Sequence, residues 1–129
     1  MALVYLDSSA LVKLAVREPE SAALVRFLRG KSELVASALA RTEVARALLP
    51  FGAAASARGR EVLERVELVR VNDRVLALAG TLLPLELRSL DAIHLATAEL
   101  VGRVRVIVTY DDRMATAARA MKWKVAAPA

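Results

Sequence analysis

The sequence contains no cysteine. This excludes a disulfide framework, a thiolate metal site and a cysteine nucleophile, and it is typical of proteins from a reducing compartment. Histidine occurs only once, as His94, so a histidine-rich zinc site is excluded as well. No apolar run reaches the roughly 18 residues that a membrane span requires, and the N-terminus lacks the basic region of a signal peptide. We therefore expect a cytoplasmic protein with no membrane contact.

Glycine is also scarce, with five residues in the whole chain. None of them forms the Gly-x-x-x-x-Gly-Lys or Gly-x-Gly-x-x-Gly patterns that cradle nucleotide phosphates. The Gly-x-Ser-x-Gly turn of serine hydrolases is missing too. These absences exclude a P-loop nucleotide hydrolase, a dinucleotide-dependent enzyme and a serine hydrolase of the α/β type.

What the chain does contain is apolar bulk and positive charge. Its 129 residues are 57% hydrophobic, and 19 Lys and Arg against 14 Asp and Glu give a formal charge of +5. The length predicts one domain over residues 1–129, large enough to bury a core. The excess of positive charge favours a polyanionic partner.

Short apolar runs alternate with helical patterns along the whole chain. The run Ala2–Leu6 predicts a strand buried on both faces, and Val104–Thr109 predicts a second, because it is short and rich in β-branched residues. Shorter strands are predicted at 33–36, 67–71 and 123–126, with helices between all of them. This alternation predicts an α/β fold whose central, mostly parallel sheet carries helices on both faces.

Four acidic positions fit neither a core nor an ordinary surface. Asp7 and Asp111 (or its neighbour Asp112) follow the two most apolar strands, and the ends of parallel strands meet at one edge of a sheet. Asp91 lies in the first turn of an apolar helix, and Glu43 lies in the middle of another. Acids gathered in apolar surroundings repel one another and lose solvation. A hard divalent cation, Mg²⁺ or Mn²⁺, would relieve both costs.

Each acid also has a simpler interpretation. Asp7 could be only a turn or capping residue, although Ser8 and Ser9 offer alternative N-caps for the first helix. Asp91 could serve only to complement the helix dipole.

The remaining positions leave similar alternatives open. Asp111 or Asp112 could be the N-cap of the following helix, and Glu43 could pair with Arg46 three residues later. His94, on an apolar helix, is expected to be a hydrogen-bonded packing residue.

Four segments together resemble the PIN-domain family, and within it the small ribonuclease toxins of the VapC type. They are Tyr5–Leu14, Thr42–Val44, Leu90–Ala96 and Val108–Asp111, and they follow the family's order along the whole chain. The resemblance implies a three-layer α/β/α sandwich that cleaves RNA with Mg²⁺ or Mn²⁺ held by four acids. It also implies a homodimer and a small antitoxin protein that blocks the site.

Transferred to this sequence, the family's catalytic and metal-binding acids are Asp7, Glu43, Asp91 and Asp111. The family's Thr-x-Asp pattern selects Asp111 over Asp112, since Thr109 lies two residues before it. Ser9 and Thr109 match small hydroxyl residues that support the acidic site.

Three basic residues near these segments are candidates for contacts with RNA phosphates, namely Lys13, Arg46 and Arg113. The expected chemistry is hydrolysis by a metal-activated water, with Glu43 or Asp111 as general base. Two other functions remain open: a non-catalytic module that binds nucleic acid, and a metal-dependent phosphoesterase or DNA nuclease.

Overall fold

The structure, a computed structural model, describes residues 3–31 and 33–129. Its strands are β1 (Leu3–Leu6), β2 (Leu34–Ser37), β3 (Glu67–Val69), β4 (Val104–Val108) and β5 (Val125–Ala126). Its α-helices are α1 (Ser8–Ala15), α2 (Ser21–Leu28), α3 (Ala40–Leu48), α4 (Ala53–Glu64), α5 (Asp73–Ala79), α6 (Ser89–Val101) and α7 (Asp112–Ala120). A single 3₁₀ turn, Leu49–Phe51, joins α3 to α4. Ala2, expected at the start of the first strand, lies outside the described residues.

All five strands form one parallel sheet in the order β3-β2-β1-β4-β5. The first strand of the chain is therefore the central one. Tyr5 pairs with Val35 on one side and with Ile107 on the other. β1 and β4, the two strands with the strongest apolar signal, are direct neighbours, so their C-terminal ends lie side by side.

The core has two halves, one on each face of the sheet. Alternate residues of β1 contribute to opposite halves. Val4 and Leu6 pack with α1, α3 and α4, whereas Leu3 and Tyr5 pack with α6 and α7. Ile107, on β4, belongs to the second half. This burial on both faces explains why the strands read as continuous apolar runs. The predicted three-layer α/β/α fold is confirmed.

Some element boundaries differ from the predicted ones. β3 ends at Val69 instead of residue 71 because its only partner, β2, ends at Ser37, opposite Val69. Ser37 itself is fully buried in β2, and its hydroxyl oxygen accepts a hydrogen bond from the backbone N–H of Leu39. Among the described helices, none is both long enough and apolar enough to cross a bilayer.

Candidate active site

Asp7 ends the central strand and begins the helix that follows it. It is the N-cap of α1, and its Oδ1 accepts hydrogen bonds from the N–H of Ala10 at 3.1 Å and the hydroxyl of Ser9 at 2.6 Å. Its Oδ2 accepts a hydrogen bond from the Thr109 hydroxyl at 2.5 Å. The expectation that Ser8 or Ser9 caps the helix was therefore wrong, because both already lie in its first turn. Asp7 does cap the helix, but its carboxylate also accepts hydrogen bonds from the side chains of Ser9 and Thr109.

Thr109 and Ser9 join the ends of β1 and β4. Besides donating to Asp7, the Thr109 hydroxyl oxygen accepts a hydrogen bond from the N–H of Asp111 at 3.1 Å. The Ser9 hydroxyl oxygen accepts one from the N–H of Tyr110 at 2.9 Å. Both hydroxyls thus bind the Asp7 carboxylate and, at the same time, a backbone N–H of the segment that follows β4. The supporting role that the resemblance implies for these two residues stays a prediction.

Asp111 follows β4 as Asp7 follows β1. It is the N-cap of α7, and its Oδ1 accepts hydrogen bonds from the N–H groups of Arg113 and Met114 at 2.9 and 3.1 Å. Its second oxygen, Oδ2, takes no part in these capping bonds. Asp112 is the exposed first residue of α7. The question of which neighbour caps the helix is therefore answered by Asp111.

Glu43 reaches the same region from α3. Its Oε1 accepts a hydrogen bond from the Ser8 hydroxyl at 2.5 Å and lies 2.7 Å from Nε2 of His94. On the other side of the imidazole ring, Nδ1 lies 2.7 Å from the hydroxyl of Tyr5. Glu43 is thus held by Ser8 and His94, and the proposed pairing with Arg46 is not what positions it. The expectation that His94 is a buried, hydrogen-bonded residue is correct, since it is 2% exposed.

Asp91 and Asp111 are joined by an arginine. Arg88, the residue before α6, places Nη2 2.8 Å from Oδ2 of Asp91 and 2.5 Å from Oδ2 of Asp111. Its Nε also donates to Asp91 Oδ2 at 2.9 Å. One guanidinium group therefore bridges two carboxylates that come from helices far apart in the sequence.

All four acids line one open cavity of about 300 Å³ at the C-terminal edge of the sheet. Its lining holds four carboxylates and a single guanidinium, with hydroxyl groups and one imidazole between them. The lining residues are Asp7, Ser8, Ser9, Glu43, Arg88, Ser89, Leu90, Asp91, His94 and Asp111. A cavity that gathers four acids in a basic protein is a concentrated negative site.

Burial and hydrogen bonding act in opposite directions on Asp7. Desolvation raises the pKa of Asp7 above its usual value, although hydrogen bonds from Ser9 and Thr109 oppose this shift. Burial is therefore the largest cause of the shift, and it outweighs the groups that favour the ionised carboxylate.

The pKa values of Glu43 and Asp111 are lowered. Partial burial raises the pKa of Glu43, but the hydrogen bonds from His94 and Ser8 outweigh this effect and lower it overall. Burial also opposes ionisation of Asp111, but the Met114 amide and the Arg88 guanidinium lower its pKa overall. Both groups are therefore anionic at neutral pH.

The donor chemistry of the cavity suits a hard divalent cation, because its lining supplies four carboxylates and several hydroxyls. Within residues 3–31 and 33–129, however, no three acidic or histidine side chains are drawn together closely enough to hold a metal ion. Two of the four acids are instead occupied by Arg88. The residues fit the ion in kind, and Arg88 contacts the Oδ2 atoms of two of them.

The three candidate RNA-binding residues lie outside the cavity lining. Lys13 is mostly buried and forms ion pairs with Glu18 at 3.2 Å and Glu20 at 2.9 Å. Arg46, on α3, and Arg113, on α7, are exposed to solvent. Of the three, Arg46 and Arg113 have the accessibility that a phosphate contact requires.

Sequence reasoning missed Arg88 and the positioning role of Ser8. The Arg88–Asp91 spacing of three residues was a visible signal, since such pairs are neighbours on a helix. The contact of Arg88 with Asp111 spans 23 residues and had no local signature. Ser8 was interpreted only as a possible cap, and its side chain instead reaches Glu43 across 35 residues.

Comparison with known proteins identifies the family. The model of the PIN domain matches residues 4–120. The chain is 59% identical to ribonuclease VapC46 of Mycobacterium tuberculosis, and the alignment covers 99% of both proteins.

Solved structures agree at the level of the fold. VapC20 of Mycobacterium tuberculosis, a sarcin–ricin loop cleaving toxin, superimposes with a TM-score of 0.75 at 16% identity, covering 88% of this chain and 94% of that one. A toxin–antitoxin complex from Klebsiella pneumoniae gives a TM-score of 0.66 at 21% identity, covering 86% and 87%. With its sequence segments, its parallel sheet and its four-acid cavity, this chain belongs to the PIN-domain family and, within it, to the VapC proteins.

Proposed function

We propose that this protein is a metal-dependent endoribonuclease and the toxin of a toxin–antitoxin pair. The observation that carries the proposal is the single cavity lined by Asp7, Glu43, Asp91 and Asp111. The relative with 59% identity is a ribonuclease, which supports the same reaction for this chain. The net charge of +5 suits a polyanionic substrate.

In this proposal Asp7 and Asp91 are the principal ligands of Mg²⁺ or Mn²⁺. When bound, such an ion supplies an activated water and charge neutralisation at a phosphodiester. Glu43 and Asp111 act on the ion directly or through waters. Either could accept the proton of the attacking water, because both are ionised at neutral pH.

The remaining contacts keep these acids in place. Ser9 and Thr109 fix both oxygens of Asp7, and Ser8 and His94 fix Glu43. Such fixed orientation lowers the reorganisation needed during reaction. Outside the cavity lining, the exposed Arg46 and Arg113, with Lys13 as a weaker candidate, would bind RNA phosphates at the rim.

The decisive experiment measures cleavage of single-stranded RNA by purified protein with Mg²⁺, with Mn²⁺ and with EDTA. We expect cleavage with either ion, and we expect Asp7→Asn and Asp91→Asn to abolish it. Wild-type rates in either variant would reject the site assignment. DNA and small phosphoesters serve as parallel substrates: preferential cleavage of either would favour the other phosphoesterases, and no cleavage of any would favour a non-catalytic binding module.

The proposed partners are a second copy of this chain and a small antitoxin. A basic tail on the antitoxin would complement the acidic cavity and compete for its carboxylates. Large exposed apolar side chains, including Leu83 and Leu85 between α5 and α6, offer surface for protein contacts. Mass measurement by light scattering tests the dimer. Co-purification with the product of a neighbouring gene, followed by an inhibition assay, tests the antitoxin.

A further inference from the structure

Arg88 has an unusual position for a surface arginine. Among the described residues that line the cavity, it is the one side chain with a permanent positive charge. Its Nη2 lies within 2.8 Å of one carboxylate and 2.5 Å of another, at the points where two proposed metal ligands expose their Oδ2 atoms. A divalent cation and this guanidinium would bind the same two oxygens.

The contacts of the four acids divide into two classes. Asp7 and Glu43 are held by hydroxyl groups, a backbone amide and an imidazole. The Oδ2 atoms of Asp91 and Asp111 are instead contacted by Arg88. Arg88 thus contacts one pair of acids, whereas the other pair is already fixed by hydroxyl groups, a backbone amide and the imidazole.

The surroundings of Arg88 allow it to leave. Its side chain is 49% exposed, against 14% for Asp91 and 31% for Asp111. It stands at the start of α6, after a segment whose Leu83 and Leu85 side chains are 64% and 89% exposed. A long side chain at a helix start, half in solvent, can rotate away without disturbing the core.

We propose that Arg88 is a built-in counter-cation that competes with the divalent metal for Asp91 and Asp111. In the metal-free protein it neutralises part of the acidic cavity and holds the two carboxylates away from Asp7 and Glu43. Binding of the metal displaces it toward solvent. The proposed regulation rests on the metal site of the proposed function: the arginine sets how much free metal is needed to assemble the site.

The test is calorimetric titration of Mn²⁺ into three metal-free proteins: wild type, Arg88→Gln and Arg105→Gln. Arg105 is an exposed residue of β4, so its variant changes the net charge equally without touching the cavity. We expect Arg88→Gln to bind Mn²⁺ about three- to tenfold more tightly than wild type, the range that two partly exposed charge pairs support. Arg105→Gln should bind as wild type does.

A second measurement follows thermal unfolding, first without metal and then with it. In EDTA, Arg88→Gln should unfold at a lower temperature than Arg105→Gln, because the acids lose their counter-cation. Addition of Mn²⁺ should then raise its melting temperature by more than it raises that of the wild type.

The outcomes separate the two proposals. Equal or weaker Mn²⁺ binding by Arg88→Gln, with clear binding by wild type, would overturn the competition and leave the metal site intact. A similar gain in affinity in Arg105→Gln would also overturn it, because net charge alone would then explain the effect. No Mn²⁺ binding by any of the three proteins would overturn the metal site and the competition together.

Discussion

Nε2 of His94 lies 2.7 Å from Oε1 of Glu43, at the end of a buried chain that begins with the Tyr5 hydroxyl. Burial raises the pKa of Tyr5 well above its usual value, so its hydroxyl keeps its proton. We assign the Tyr5 hydroxyl as the donor to Nδ1, an assignment that requires an N–H at Nε2 directed at the Glu43 carboxylate. A core tyrosine on the central strand therefore fixes the orientation of a proposed catalytic acid.

The hydrogen bonds that link Tyr5, His94 and Glu43 predict that Tyr5→Phe is less stable than the wild type. Loss of the hydroxyl leaves a buried ring nitrogen without its partner, which should lower the free energy of unfolding by about 1–3 kcal/mol. Chemical denaturation measures this difference. In the wild type, ¹⁵N NMR above the usual titration range of histidine should show the Nε2–H tautomer. An Nδ1–H tautomer would contradict the assigned direction of the chain.

Thr109→Val tests the link between the two strand ends. The substitution preserves shape but removes the donor to Asp7 Oδ2 and the acceptor of the Asp111 N–H. Because Thr109 is 1% exposed, we expect a loss of about 1–3 kcal/mol in stability and a clear loss of RNA cleavage. Thr116→Val is the matched control, since this exposed hydroxyl donates only to the carbonyl of Asp112. A change in the control as large as that in Thr109→Val would argue against a specific role.

The raised pKa of Asp7 gives a pH-dependent prediction for the metal-free protein. A raised native pKa means that the folded state binds the proton more tightly than the unfolded chain, so wild-type stability falls as pH rises from 3.8 through the native value. Asp7→Asn carries no charge to bury, and asparagine caps a helix as well as aspartate does. In EDTA it should be at least as stable as wild type at pH 7, and that advantage should disappear below about pH 3.8.

Asp7→Ala is the control for the capping role of the same residue. It removes the charge and the cap together, so it should be less stable than Asp7→Asn by about 0.5–2 kcal/mol. Urea denaturation across the pH range measures both effects. If Asp7→Asn were destabilised at pH 7 as strongly as Asp7→Ala, burial of charge would not be the dominant cost at this position.

The neighbouring acids after β4 should respond very differently to neutralisation. Asp111→Asn removes a charge that faces the cavity and should reduce RNA cleavage by about two orders of magnitude. Asp112→Asn alters an exposed residue outside the cavity lining and should leave the rate nearly unchanged. Rates measured at saturating Mg²⁺ decide between them. A larger loss at Asp112 would contradict the assignment of Asp111.

The fold was accessible from the sequence because its strongest signals are local. β1 and β4 are short, continuous and apolar, and strands of this kind occur where both faces of a sheet are covered. Asp7 and Asp111 could be placed at one edge because parallel strand ends must meet there. Position alone therefore led to two of the four acids that line the cavity.

The details that the sequence did not reveal depend on distant side chains. Arg88 touches Asp111 across 23 residues, and Ser8 touches Glu43 across 35. No periodicity or capping rule encodes such contacts. Ser8 and Ser9 were offered as alternative N-caps from residue preference alone, but β1 ends at Leu6 and Asp7 caps α1 instead.

The strand order has a consequence for the timing of synthesis. β1 is made first, but its neighbour β4 follows about a hundred residues later, and Asp111 comes after that. A chain emerging from the ribosome therefore carries Asp7 and Glu43 well before the cavity can close around them. An interrupted chain that ends before β4 would have a central strand paired on one side only, and it would carry three of the four acids but lack Asp111. The proposed nuclease would thus become active only when nearly the whole chain has been translated.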